Sequence, residues 1–414
     1  RRLGNGHVDV TARANLQVRG VTEATRAGLA AAMASAGLGD ARHDGGPQRL
    51  TLTSPLAGLV PAFLDVPTLA RSIEAVGRAV AGLPAKTLVL VEGGGATDLP
   101  GIAADLHVRV NASGRASLGL ACDDGIAWIA ACGEPRIAGS VAALLRAFAE
   151  TGRRRIRDLG RAERAILARA LPASILGAVE GGSPLPWGEG RGEGPDRPAE
   201  GMAGTHGDRA TGGLRPVSCP SIDGILNVEA PFGRCTADML EALAEAGLAL
   251  GAEAIRVAPT RGFVLAVPDA SDQARARSLA DLAAAGFITT PDDPRRAVAA
   301  CPGAPACGSG STPTGADAAR LADAFRPFAA RGLTAHVSGC AKGCAHPGRA
   351  ALTLVGRDGR YGIVLDGTPA DTPRLELTFE AALERVWRVP GDLAQAFSLA
   401  QAFRPDISPL RTAP

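Results

Sequence analysis

Lysine is all but missing from this chain. Of 44 basic residues in 414, only Lys86 and Lys342 are lysines, and the others are arginine. Asparagine is confined to Asn5, Asn15, Asn111 and Asn227, and tyrosine to Tyr361. Such depletion beside abundant Ala, Gly and Arg fits GC-rich codon usage rather than a demand of the fold. It singles out the survivors, because a compact, titratable ammonium does work that a broad guanidinium fork does not. Long apolar runs are missing too. No window approaches 18 uninterrupted apolar residues, which argues against a transmembrane helix, and no secretory segment is visible; a cytoplasmic location is expected. The 44 basic residues are matched by 42 acidic ones, for a net charge of +2 without a clustered basic stripe, so neither nucleic acid nor membrane is an expected partner. Gly93–Gly95 lacks the Gly-Lys-Ser/Thr ending and the dinucleotide spacing and reads as a turn. There is no flavin or nicotinamide fingerprint.

The hydrophobic content of 46 % over 414 residues supplies two or three packed cores. Between Glu180 and Gly213 the chain is dense in Gly, Pro and charge and has no periodicity, as in a disordered linker. It separates halves that resemble each other. HVDVTARANLQVRGV alternates like a strand pair and leads into a helical pattern with Thr22 as cap and Gly37 as stop. AIRVAPTRGFVLAVP and the residues after it repeat that order, with Val8, Val10, Leu16 and Val18 opposite Ile255, Val257, Phe263 and Leu265. Downstream, each half shows a helix, a strand, a hairpin (LHVRVNASGRASLGLA; LTLVGRDGRYGIVLDG) and a closing helical stretch near Ile137–Glu150 and Thr378–Ala400. The expected fold is a duplicated α+β protein with pseudo-twofold halves, each a small module plus a larger α+β module. The expected domains are 1–64, 65–178, a linker at 179–216, 217–292 and 293–414. The opening RRLGNGHVDVTAR enters a strand pattern at once, as expected of a chain lacking an upstream piece. A cleft between the halves is the natural place for a large ligand.

Four of the eight cysteines fall into one spacing. Cys301 and Cys307 have five residues between them, 32 residues follow, and Cys340 and Cys344 have three between them. Cys122, Cys132, Cys219 and Cys235 show no such grouping. The first gap is wide for structural zinc. Four thiolates also hold iron–sulfur clusters, and the small residues of CPGAPAC and SGCAKGC let backbone amides approach sulfur. Disulfides are the third possibility.

C-x5-C followed by C-x3-C in a duplicated α+β chain resembles the sulfite and nitrite reductase family, from about Gly4 to Ala402 apart from the linker. Within it, ACPGAPAC, HVSGCAKGCAHP, SPLAG at Ser54–Gly58, TARANLQVRG at Thr11–Gly20 and LPAK at Leu83–Lys86 resemble most the oxygen-using members of aerobic cobalamin synthesis. The resemblance implies ferredoxin-like small modules and a 4Fe-4S cluster on Cys301, Cys307, Cys340 and Cys344. It implies Arg13, Asn15, Gln17 and Arg19 facing a tetrapyrrole. Sirohaem-dependent members typically carry a second lysine two places after the one matching Lys86; here that place is Leu88, which weakens binding of a dianion such as sulfite.

The implied activity is a monooxygenase reaction: dioxygen and an external electron donor hydroxylate a bridging carbon of precorrin-3A, with a ring acetate closing as a lactone. A cluster moves single electrons, so oxygen activation implies a further iron centre. Precorrin-3A is a polyanion, and Lys86 and Lys342 are expected as catalytic cations beside it. The tight loop around Lys342 is expected to exclude a guanidinium. His336 and His346 flank the cysteine motif and read as packing residues before ligands, and His7 is equally open. The alternative enzyme is a sirohaem sulfite or nitrite reductase. The non-enzyme alternative is a four-cysteine zinc protein binding an acidic partner.

Overall fold

The computed structural model describes residues 1–39, 42–94, 98–99, 102–123, 125–176, 222–346 and 348–398. The linker expected at 179–216, Cys219, Gly95, Pro347 and the end of the resemblance at Ala402 lie outside the described residues. In chain order the first half holds β1 (His7–Val10), β2 (Leu16–Val18), α1 (Glu23–Ser35), β3 (Thr51–Thr53), α2 (Val66–Arg78) and β4 (Val89–Glu92). It continues with β5 (Leu106–Val110), β6 (Arg115–Cys122), β7 (Gly125–Gly133), α3 (Glu134–Glu150) and α4 (Arg161–Ala168). The second half holds β8 (Ile225–Glu229), β9 (Arg234–Thr236), α5 (Ala237–Ala249), β10 (Ile255–Ala258), β11 (Gly262–Ala266) and α6 (Asp272–Ala284). It ends with β12 (Val298–Ala300), α7 (Thr314–Ala329), β13 (Ala335–Ser338), β14 (Ala350–Arg357), β15 (Arg360–Gly367), β16 (Leu375–Leu377), α8 (Phe379–Arg388) and α9 (Leu393–Ala396).

The duplication is visible strand by strand. The two large sheets run β3-β4-β5-β6-β7 and β12-β13-β14-β15-β16, each with two parallel pairings followed by two antiparallel ones. The parallel part carries short strands such as Val89–Glu92, apolar up to Glu92 and buried along its whole length, as sheets covered on both faces require. One face of the first sheet packs on α2 and α3 through Val89, Val91, Leu106, Ile73 and Leu145. Helix α2 starts where Asp65 accepts from the Thr68 amide at 3.1 Å, and it buries Val66, Leu69, Ile73 and Gly77 on one stripe. The second sheet packs likewise on α7 and α8 through Val337, Leu354, Phe325 and Phe328.

The small modules also repeat. Val8 pairs with Val18 and Val10 with Leu16 in β1–β2, and Ile255 pairs with Leu265 and Val257 with Phe263 in β10–β11. These are the residues that the sequence repeat sets opposite each other. Ala14 and Arg261, equivalent turn positions, both have left-handed backbones, at φ 54° and 63°. The third strand differs: β8 pairs with β11, whereas β9 crosses to β1 of the other half. Asp9 fastens that crossing, accepting from Arg19 at 2.6 Å and from Arg234 at 2.7 Å.

Two expectations are corrected. The boundary at residue 64 falls inside a domain, because Thr51–Thr53 hydrogen-bonds to β4 and Leu50 lies in the core of the first large sheet. The closing helical stretch from Thr378 is two helices, α8 and α9, separated by Val389, Pro390, Gly391 and Asp392; proline lacks the amide that continues a helix, and Gly391 has φ 99°.

Candidate active site

The repeat sets Ser54, directly after β3, against Cys301, directly after β12. Strands β12 and β13 are parallel neighbours with Ala300 opposite Val337. The first cysteine loop therefore leaves the end of one strand and the second, Cys340–Cys344, leaves the same end of the next. The loops touch at sulfur: the Gly339 amide donates to Cys301 Sγ at 3.1 Å. A Cβ on Gly339 would meet Gly310 Cα at 3.2 Å, Gly303 Cα at 3.3 Å and Cys301 Sγ at 3.4 Å. A side chain there would press on all three neighbours, so glycine eases the close approach of the backbones. Gly303 has φ +60°, and a Cβ there would stand 2.3 Å from Thr314 Oγ1.

Cys301, Cys307 and Cys340 are half-buried, Cys344 is exposed, and all four are free thiols. Among the described residues no three His, Cys, Asp or Glu side chains gather closely enough to hold one metal ion. A cluster with one iron per cysteine spreads its four sulfurs wider than a single tetrahedral ion does. The free thiols, the glycine cradle and the amide donor to sulfur suit a cluster. The other described cysteines differ in kind: burial pushes the Cys235 thiol up to about 12, with Asp9 adding to it, and raises Cys132 as well. Both pack as apolar residues.

At the ends of β4 and β5, buried Glu92 accepts from Arg109 at 3.1 Å and from the Leu99 amide at 3.0 Å. The Arg109 guanidinium lies 5.2 Å from the Trp128 ring centroid. Arg13, in the β1–β2 turn, donates to the Lys86 carbonyl oxygen at 3.0 Å, so two residues singled out from the sequence meet. Asn15 closes the same turn, its amide donating to Thr11 Oγ1 at 3.1 Å. Gln17 is exposed on β2, and half-buried Arg19, the residue after the strand, donates to its Oε1 at 2.8 Å.

Lys342 sits on the other half. Its ammonium donates to Ser309 Oγ at 3.0 Å and bridges the two cysteine loops. It is exposed, so the expectation that its loop excludes a guanidinium is corrected: the side chain lies outside the loop. Leu88 is 5 % exposed and packs with Leu52, Leu90, Leu99 and Ala104, a setting in which an ammonium is unfavourable.

His336 is fully buried on β13 with neither ring nitrogen hydrogen-bonded among the described residues. Burial, then His346 and Arg261, lowers it to about 3. His346 crosses it edge to face at 5.9 Å and contacts the Arg349 carbonyl oxygen at 3.2 Å. These rings pack between the second large sheet and the β10–β11 turn, where Arg261 donates to Ala345 O.

Sequence reasoning missed Arg155 and Asp105. Fully buried Asp105 accepts from the Leu88 amide at 3.1 Å, the Ile156 amide at 3.0 Å and Arg155 Nε at 3.0 Å. The run RRRIR at 153–157 was the available signal. A groove of about 620 Å³ opens elsewhere, along β8 beside Asn227 and Thr290, and none of the expected site residues line it.

No family model matches the chain. It is 31 % identical over 422 aligned positions to a precorrin-3B synthase of Sinorhizobium sp., an alignment that takes in 97 % of this chain and 82 % of that protein. The structure of the Mycobacterium tuberculosis NirA protein superposes with a TM-score of 0.61 at 19 % identity, over 92 % of this chain and 74 % of that one. That second likeness confirms the duplicated α+β fold. The first, over nearly the whole chain, places this protein in the precorrin-3B synthase family.

Proposed function

We propose that the chain is a precorrin-3B synthase of monooxygenase type, using dioxygen and an external electron donor to hydroxylate a bridging carbon of precorrin-3A as a ring acetate closes to a lactone. The observation that carries this reading is the 31 % identity to the Sinorhizobium enzyme over 97 % of the chain. In this reading Cys301, Cys307, Cys340 and Cys344 hold a 4Fe-4S cluster, which supplies single electrons when bound. The Gly339 amide shields and tunes sulfur. Arg13 and Lys86, in contact through a backbone carbonyl, bind and orient carboxylates of the macrocycle. Lys342, exposed beside the cysteine loops, meets a further carboxylate or holds a proton near the reacting carbon.

The NirA fold keeps a sirohaem reductase in view, and Leu88 speaks against it. Every charge-assisted contact missing from a dianion site costs about 1.5–3 kcal/mol. One measurement tests the reading: oxygen-dependent conversion of precorrin-3A by the purified chain, with iron, zinc, sulfide and the visible spectrum recorded on the same sample. Conversion with iron and sulfide and one broad absorption is expected. Sharp isobacteriochlorin bands with sulfite turnover would replace it with the reductase reading, and zinc without sulfide with the structural one.

A further inference from the structure

We infer that Thr314 and Ser338 are positioning residues for the cluster. Each is a buried hydroxyl that holds the carbonyl of the first cysteine in a loop, which sets where Cys301 and Cys340 present sulfur and makes the bound cluster easier to reduce. The assignment rests on the cluster reading above and names the residues that support it. Thr314, the first residue of α7, donates to the Cys301 carbonyl oxygen at 2.5 Å. Ser338, the last residue of β13, donates to the Cys340 carbonyl oxygen at 2.7 Å. Both residues are 0 % exposed, so water cannot take over either bond.

Cys301 is thereby held at three atoms. Its amide donates to the Val337 carbonyl oxygen at 3.4 Å, its own carbonyl accepts from Thr314, and its sulfur accepts from the Gly339 amide at 3.1 Å. CPGAPAC and SGCAKGC gain close approach from small residues but have few side chains of their own to fix them. The two hydroxyls fix them from the regular elements that flank the loops. They also act on charge. Four thiolates make a cluster site anionic, and the carbonyl oxygen of a ligating cysteine adds the negative end of a dipole nearby. A hydroxyl proton on that oxygen offsets it, so the extra electron of the reduced state meets less repulsion. The other half supplies a comparison. Helices α2 and α7 each join the first two strands of their large sheets, and β4 and β13 take the same place in them. There α2 begins with Val66, and β4 ends with Glu92, which is paired with Arg109. The two hydroxyl positions accompany the cysteine loops and are filled differently in the half without those loops.

The test uses the full chain reconstituted anaerobically with iron and sulfide. The readouts are iron and sulfide per chain, iron lost to a chelator, and the midpoint potential from a redox titration followed by electron paramagnetic resonance. Thr314→Val and Ser338→Ala should each weaken iron retention about 10- to 100-fold and move the midpoint to a more negative potential. Thr314→Ser keeps the donor and should restore both. Thr353 is the control, because it is also 0 % exposed in the same sheet and donates to a carbonyl outside the cysteine loops, that of Gly367 at 2.9 Å. Thr353→Val should lower stability to urea by a similar amount and leave retention and potential parental.

Parental retention and potential in both Thr314→Val and Ser338→Ala, or an equal shift in Thr353→Val, would overturn the inference and leave the cluster reading standing. If Thr314→Val does not fold, Ser338→Ala decides alone. A parent chain that holds no iron and sulfide would overturn the inference and the cluster reading together. The expected shifts in a chain that leaves precorrin-3A unconverted would keep the inference and sink the functional reading.

Discussion

The Gly339 amide lies 3.1 Å from Cys301 Sγ, so the two cysteine loops are one unit before any cofactor is considered. The contact depends on bare backbone: a Cβ at Gly303 would clash at 2.3 Å with Thr314, and one at Gly339 or Gly310 would press on its neighbours at 3.2–3.4 Å. Gly303→Ala should destabilise the second large module by about 2–4 kcal/mol, since it adds a clash with Thr314 to a left-handed backbone. Gly339→Ala should be milder in stability, about 1 kcal/mol, and should lower the iron and sulfide retained after anaerobic reconstitution. Urea unfolding and metal analysis read the two effects separately. Parental iron content in Gly339→Ala would show that the amide has no part in holding a cluster.

Substituting Cys301, Cys307, Cys340 or Cys344 by alanine should each abolish a stable four-iron cluster, while Cys132→Ala and Cys235→Ala should keep it. The latter two are buried in apolar surroundings that hold their thiols protonated. Iron and sulfide per chain decide the matter. A full complement in Cys307→Ala, or none in Cys235→Ala with the fold intact, would require a different ligand set.

Much of this was legible in the sequence. The repeat set Val8 and Val10 opposite Ile255 and Val257, and the hydrogen-bond registers of the two ribbons agree pair for pair, because alternation fixes which side chains share a face. Hairpins and amphipathic helices were visible for the same reason. The crossing of β9 to β1 was not, since a three-residue strand has too little pattern to declare a partner over 220 residues away. Strands β3 and β12 were missed on the same ground, and with β3 went the boundary at 64. The cysteine spacing marked two loops that the fold brings into contact at Cys301 Sγ. The arginines did not stand out, because in a chain whose cations are nearly all arginine the run at 153–157 looks like its surroundings until Asp105 picks out Arg155.

Asp9 should carry much of the junction between the halves. It is 9 % exposed and accepts from Arg19 on its own ribbon and Arg234 across the crossing. Asp9→Asn leaves two guanidiniums facing one neutral amide, and should cost about 2–4 kcal/mol of stability. Arg234→Met, which removes one charge and keeps Arg19 paired, should cost less. Denaturant unfolding of the two variants ranks them, and an equal or reversed order would contradict this view of the crossing.

Stability should fall on mild acidification through two histidines. Burial, then Arg109, lowers His107 to about 4, and burial, then His346, lowers His336 to about 3. Below the ordinary histidine value near 6.5 the unfolded chain takes up protons that the native rings refuse. Each ring therefore withdraws roughly 1.4 kcal/mol per pH unit as pH falls from about 6.5 to about 4 for His107 and about 3 for His336. Above pH 7 neither contributes. Variants His107→Gln and His336→Gln should each show a shallower loss of stability between pH 6.5 and 4, measured by urea titration across that range. Parental slopes in both would remove the histidines from the acid response.

Position 88 separates the two enzyme readings. The resemblance read from the sequence implies a second lysine at this place in sirohaem-dependent members, yet Leu88 is 5 % exposed and packs on Leu52, Leu90, Leu99 and Ala104, while its amide is fixed by Asp105 at 3.1 Å. Leu88→Lys therefore places an ammonium in an apolar cluster rather than in a site. It should destabilise the first large module by roughly 3 kcal/mol or more and confer no sulfite reduction. Lys86→Ala, at an exposed position in contact with Arg13, should leave stability within about 0.5 kcal/mol of the parent and weaken precorrin-3A turnover. Lys342→Arg should be close to parental, because the exposed side chain has space for the larger head and Ser309 still accepts. Thermal unfolding and steady-state oxygen-dependent conversion, with cluster content checked, measure all three. A stable Leu88→Lys chain that reduces sulfite would mean that the place is open to substrate, and the monooxygenase reading would lose the residue that separates it from the reductases.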